Sequence, residues 1–134
     1  MRDLAKLPKA HLHLHFTGSM RLSTLVELAD ELGIRLPETI TDGVGLQVEA
    51  DARGWFRFQR QYDAARACVR SEAAMRRIVT EAAEDDAAEG SGRLELQIDP
   101  TSYAPYVGGI TPALEIVLDE ALAATERTGT EVAI

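Results

Sequence analysis

The chain has 134 residues, 46% hydrophobic and 27% charged, with a formal net charge of −8 at pH 7, which is enough for one domain with its own core. Such a mean field repels nucleic-acid phosphates and anionic lipid, so neither is expected as a partner. Cys68 is the single cysteine, which excludes an intrachain disulfide and fits a reducing compartment, and no apolar run approaches the ~18 residues needed to span a bilayer.

The segment Met1–Lys9 lacks the apolar stretch of a signal peptide, and a soluble cytoplasmic protein is expected. Residues 10–16, Ala-His-Leu-His-Leu-His-Phe, alternate histidine with large apolar residues. Period two predicts a strand with His11, His13 and His15 on one face and Leu12, Leu14 and Phe16 on the other. Leu22, Leu25, Val26, Ala29 and Leu32 recur at helical spacing up to a stop at Gly33. Pro37 to Gly54 reads as turn and loop. Two helices follow, over about Trp55–Val69 and from an N-cap at Ser71 to Glu89, with Gly90 closing the second.

The arginines Arg53, Arg57, Arg60, Arg66 and Arg70 are interleaved with apolar residues and read as a solvated helix face. Cys68 reads as a packed helical thiol, and Glu84, Asp85, Asp86 and Glu89 as a solvated acidic face. A second strand is expected at Leu94–Ile98, stopped by Asp99-Pro100, and Thr111-Pro112 opens a helix that runs to Gly129. Glu131–Ile134 then begins a third strand. Strands separated by helices imply parallel crossover units. A three-stranded open sheet is a poor independent fold, so the 134 residues are expected to be a piece of something larger.

A His-x-His pair on a strand puts two imidazoles on one face, roughly 6.5–7 Å apart along the chain. At that separation both can reach one ion, and zinc suits imidazole nitrogen while leaving a position open for water. The alternative is a set of hydrogen-bonded core histidines. Leu12 and Leu14 ask for an apolar layer, which would make the strand central and buried; imidazoles there are costly without partners or a metal. His11 lies deeper and reads as a hydrogen-bonded structural residue. Two histidines are an incomplete site, and a further ligand and a proton carrier must come from elsewhere.

The run Leu7-Pro8-Lys9-Ala10-His11-Leu12-His13-Leu14-His15-Phe16-Thr17-Gly18-Ser19 resembles the opening strand of the adenosine deaminase family. The likeness continues through Leu25–Ala29, Gly33-Ile34 with Leu36-Pro37, Arg77-Ile78, and Leu94–Pro100. It implies an α/β chain, the N-terminal part of a (β/α)8 barrel with about two and a half β/α units and extra helices between strands 1 and 2. Residues 1–134 would then belong to a single aminohydrolase barrel domain.

The resemblance also implies one zinc ion that activates water for attack on C6 of an aminopurine, with adenosine going to inosine and ammonia. His13 and His15 carry over as zinc ligands, and His15, Thr17 and Gly18 as residues near the purine nucleoside. A plain turn glycine remains the alternative for Gly18. Thr17 stands where the family usually has an acid, and Gln97 where an arginine is common.

The family's remaining ligands and catalytic groups belong to later strands. No catalytic residue is therefore expected within 1–134, the chain alone is expected to be inactive, and its expected macromolecular partner is the remaining part of the barrel or a second copy of itself. Deamination of adenine or aminofutalosine is an alternative activity, and a non-catalytic fragment an alternative class. Asp99 is a weak site candidate whose ordinary role is in a turn. Gly108-Gly109 is a weak phosphate signal that reads better as a loop. Cys68 alone cannot build the His/Cys/Cys site of the base-flipping deaminases.

Overall fold

The computed structural model describes residues 3–41 and 50–134. It divides into two compact units, Met1–Met20 with Arg70–Ile134, and Arg21–Val69.

In the first unit three strands, β1 (Lys9–His15), β2 (Ser91–Gln97) and β3 (Glu131–Ala133), form a parallel sheet in the order β1-β2-β3. Helix α4 (Glu72–Ala88) packs on β2, and α6 (Ile110–Thr128) packs on α4 and β3. The short helix α5 (Ala104–Val107) and a 3-10 turn at Pro100–Ser102 lie between β2 and α6. β1 is thus an edge of this sheet, not the central strand that its leucines suggested.

Apolar spacing explains the packing. Met75, Ile78, Val79, Ala82 and Ala83 make one buried stripe on α4; Ala113, Ile116, Val117, Ala121 and Ala124 make another on α6. Leu94, Leu96 and Val132 cover them from the sheet. The many alanines leave room for close approach of the two helices.

Ser71 caps α4 through a 3.1 Å bond from the Ala74 N–H, as expected for this residue type. The start of α6 differs from expectation. Gly109, not Thr111, is the N-cap, and Pro112 is the third helical residue. Proline is tolerated there because the first four helical N–H groups have no partner in the helix. Gly108 (φ 93°) and Gly109 (φ 137°) form the corner between α5 and α6, a backbone that only glycine adopts readily. That corner accounts for the Gly-Gly pair without a phosphate.

One polar cluster ties α4 to α6. Glu120 is 8% exposed and accepts from Thr80 Oγ1 (2.7 Å), Arg127 Nη2 (2.5 Å) and Arg76 Nη1 (3.3 Å). Arg76 also donates to Glu72 (2.8 Å) and Asp119 (2.6 Å). Burial disfavours the Glu120 carboxylate, but the bonds from Thr80, Arg127 and Arg76 outweigh it and hold its pKa below the usual value.

The second unit contains α1 (Leu22–Leu32), α2 (Glu38–Thr41) and α3 (Ala52–Arg66). Gly33, at φ 64°, ends α1, and the Ile34 N–H returns to the Ala29 carbonyl at 2.8 Å. The expected loop is shortened from both ends. Glu38–Thr41 is helical, and α3 starts at Ala52 because Asp51 caps it through the Gly54 N–H at 2.7 Å. The rest of that predicted loop, 42–49, lies outside the described residues.

Arg53, Arg57 and Arg60 are exposed and Arg66 pairs with Asp63, in keeping with a solvated face. Cys68 is fully buried just beyond α3, its thiol donating to the Ala64 carbonyl. No helix among the described residues is long and apolar enough to cross a membrane.

Because Glu120 has a lowered pKa in the folded state, its contribution to stability is complete above the ordinary value of 4.5 and is lost as pH falls through the lower folded value. Glu120→Gln should therefore lower stability at pH 7 and weaken the acid dependence below pH 4.5. Urea unfolding of both proteins at pH 7 and pH 3 reads this directly. Parallel loss of stability in the two on acidification would show that Glu120 is not a source of the acid sensitivity.

Candidate metal-binding site at the end of the first strand

The pairing of β1 with β2 joins His11 to Leu94 and Leu14 to Leu96, so Leu12 and His13 together stand opposite Glu95. Two residues facing one is a β-bulge. His13 occupies the left-handed region at φ 62°, the one non-glycine among the described residues to do so. Histidine tolerates that region better than most side chains, though it is uncommon.

The bulge redistributes the three histidines. Leu94 and Leu96 are buried on the helix side of the sheet. Their partners His11 and Leu14 share that side although they are three residues apart. The expectation that His11, His13 and His15 lie on one face is therefore corrected. His11 faces α4, where its Nδ1–H donates to Asp86 Oδ1 at 3.0 Å. His15 pairs with Gln97, on the other side of the sheet. Leu12, expected under an apolar layer, is 60% exposed because the bulge separates it from Leu14.

His13 and His15 remain together, their rings edge to face with centroids 5.1 Å apart. Two imidazoles on one tetrahedral zinc, each nitrogen about 2.0–2.1 Å from the metal, hold their ring centres about 5 Å apart. The separation of the two ring centres matches that distance. His15 and Gln97 are the last residues of β1 and β2, so the histidines stand at the C-terminal end of the parallel strands, on the side away from the helices. In a closed barrel that side is the interior and that end carries the active site. Among the described residues no group of three or more His, Cys, Asp or Glu side chains is placed to hold a metal.

The turns that follow β1 and β2 meet. Thr17 opens a 3-10 turn, Thr17–Ser19, and is buried at 3% exposure with Oγ1 2.5 Å from the Tyr103 hydroxyl. Tyr103 is equally buried and packs edge-on against Phe16 at 5.3 Å between centroids. Thr17 is therefore an interior hydroxyl tied to a neighbouring loop. Gly18 is exposed in that turn without a positive φ.

Across residues 8–134 the chain matches the model of the adenosine deaminase family, described as "Adenosine deaminase". The chain belongs to the adenosine deaminase family. Proteins of Streptomyces virginiae and Streptomyces coelicolor, both named "Putative adenosine/adenine deaminase", are 63% and 58% identical to it over 129 and 134 residues. Each alignment covers 96% of this chain and 38% or 39% of the relative, so the chain spans well under half the length of these proteins and corresponds to their N-terminal portion. The solved adenine deaminase of Arthrobacter aurescens superposes with a TM-score of 0.71 at 23% identity, over 95% of this chain and 37% of that one. That likeness shows the fold, a partial (β/α)8 barrel.

Within this adenosine deaminase fold several single-residue expectations resolve. Asp99 caps the turn after β2, accepting from the Thr101 N–H (3.0 Å) and hydroxyl (2.6 Å), which is a turn role. Gln97 accepts the Phe16 N–H through its backbone oxygen, and nothing in the structure explains its side chain. Glu84, Asp85 and Glu89 are exposed as expected, but Asp86 is buried at 8% exposure with Oδ2 lacking a hydrogen-bond partner. Sequence reasoning missed Asp86 and Tyr103. The signal for Asp86 was present, because it continues the Val79, Ala82, Ala83 stripe at helical spacing. Tyr103 carried none beyond its place after a strand.

Two substitutions test this geometry. His13→Val puts a β-branched residue in the left-handed region and should cost about 1–2 kcal/mol more than His13→Asn, which tolerates it. Equal urea midpoints for the two would mean a regular strand at His13. Thr17→Val removes a buried hydroxyl pair and should cost about 1–2 kcal/mol; an unchanged midpoint would place the Thr17 hydroxyl in solvent.

Proposed function

We propose that this chain supplies the first part of a zinc-dependent aminohydrolase barrel, one domain with the strands that complete it, which converts adenosine and water to inosine and ammonia. The observation that carries the reading is the pair His13 and His15, 5.1 Å apart at the C-terminal end of β1. In it both imidazoles are metal ligands, His15 and Gly18 line the purine nucleoside with Thr17 packed behind them against Tyr103, and zinc, when bound, supplies water acidified toward neutrality. The chain's own part is to fix two of the nitrogen donors and one wall of the substrate cavity. The carboxylates among the described residues are committed to turns, ion pairs or solvent, so the proton carrier belongs to other strands. A cytoplasmic place in purine metabolism is the setting this chemistry suits.

Adenine is the second reading, favoured by one observation. Thr17 brings no charge to the position after β1, and its hydroxyl is engaged by Tyr103. A sugar would find a weaker partner there than a carboxylate.

Residues 1–134 with added zinc should show no loss of adenosine absorbance. The same residues joined to the remaining strands of the Streptomyces coelicolor relative should turn over adenosine or adenine, and His13→Ala or His15→Ala in that barrel should lower the rate at least about a hundredfold. Zinc-dependent turnover by residues 1–134 alone, or full activity without either histidine, would contradict the assignment.

A further inference from the structure

His11 is outside the site just described, yet the strand's shape depends on it. His11 and Leu14 share the helix side of the sheet at an odd spacing, which a strand of period two permits only with an extra residue between them. Leu14 is held there opposite Leu96. His11 is held by Asp86, whose Oδ1 takes the Nδ1–H at 3.0 Å and whose other oxygen is buried without a partner. Lys9, two residues earlier, also reaches the end of α4, donating to the Glu89 carbonyl. The helix thus grips β1 on the N-terminal side of the bulge.

We propose that the His11–Asp86 pair is a positioning device for metal binding: it selects the bulged strand, in which His13 takes a left-handed backbone and stands beside His15. The inference rests on the reading of His13 and His15 as metal ligands. Without the tie, the His11 side chain has no bond to α4, and β1 keeps only the Lys9 bond to Glu89 and its pairing with β2 on that side of the bulge. The strand can then relax to plain alternation, with His13 in an extended backbone and its ring in a different relation to His15. A buried carboxylate with one partner also gives the tie its direction, because no other donor among the described residues bonds Asp86. The pair acts through backbone geometry and touches neither metal nor substrate.

The test measures zinc affinity of the full chain, with zinc alone as probe, by competition with a chromophoric chelator. Asp86→Ala is the main variant. It removes the tie together with the unpartnered buried oxygen and places a good helix former in α4, so folding is retained. His11→Gln keeps a side-chain donor within reach of Asp86. His13→Ala reports on the underlying metal reading, and urea midpoints are measured beside each affinity.

Asp86→Ala should weaken zinc binding about tenfold, the loss found when supporting partners of metal ligands are removed, with a urea midpoint near that of the unaltered chain. His11→Gln should stay within about threefold of the unaltered chain, and His13→Ala should abolish binding. Unaltered affinity in Asp86→Ala, with binding lost in His13→Ala, overturns the positioning role and leaves the metal reading intact. Unaltered affinity in His13→Ala overturns the metal reading and the inference with it. An affinity loss in Asp86→Ala matched by a fall in the folded fraction makes the pair merely structural and also overturns the proposal.

Discussion

His11 and Leu14 are three residues apart and face the same helices, and everything specific about this chain's first strand follows from reconciling that with a period of two. The reconciliation is an extra residue opposite Glu95 and a left-handed backbone at His13. A left-handed non-glycine residue costs about 1–2 kcal/mol, so the surroundings must hold it. They do so from the helix side, through Leu14 against Leu96 and His11 against Asp86. The strain falls on a residue of the candidate site, as is usual where bulges re-aim side chains.

That support requires α4 to be rigid. Its apolar stripe is covered by β2 and α6, and its polar flank is pinned to α6 through Glu120, Arg76 and Arg127. Asp86 lies on the same stripe, one turn beyond Ala82 and Ala83, so the packing that buries α4 also aims its carboxylate at His11. On the far side of the histidines, the turns after β1 and β2 are joined by Thr17 and Tyr103. The bulge is thus held from the helix layer, and the turns that follow the two strands are tied to each other.

Much of this was legible in the sequence. Period two marked the first strand, Ser71 and Gly90 framed α4, and the Leu-Pro-Lys and His-x-His run pointed to the family. The bulge was not legible, because an unbroken alternation of histidine and leucine predicts a regular strand. What breaks it is a partner in α4, 75 residues away from His11. Tertiary contact overrides local pattern in the same way at Thr17, whose hydroxyl is taken up by a tyrosine 86 positions later. The start of α3 was missed for a local reason. Gly54 reads as a breaker, but Asp51 caps its N–H and makes it the third residue of a helix.

All three histidines of the chain lie in this one strand, so a single spectrum can separate their roles. Long-range proton–nitrogen correlation of the imidazoles, recorded while zinc is added, reports the tautomer and metal contact of each ring. The account predicts that His13 and His15 nitrogens move together with zinc, while His11 keeps a protonated Nδ1 and does not respond. Zinc-dependent shifts of His11 matching those of the other two would mean that the three rings share one face, and would contradict the bulged strand on which the site is built.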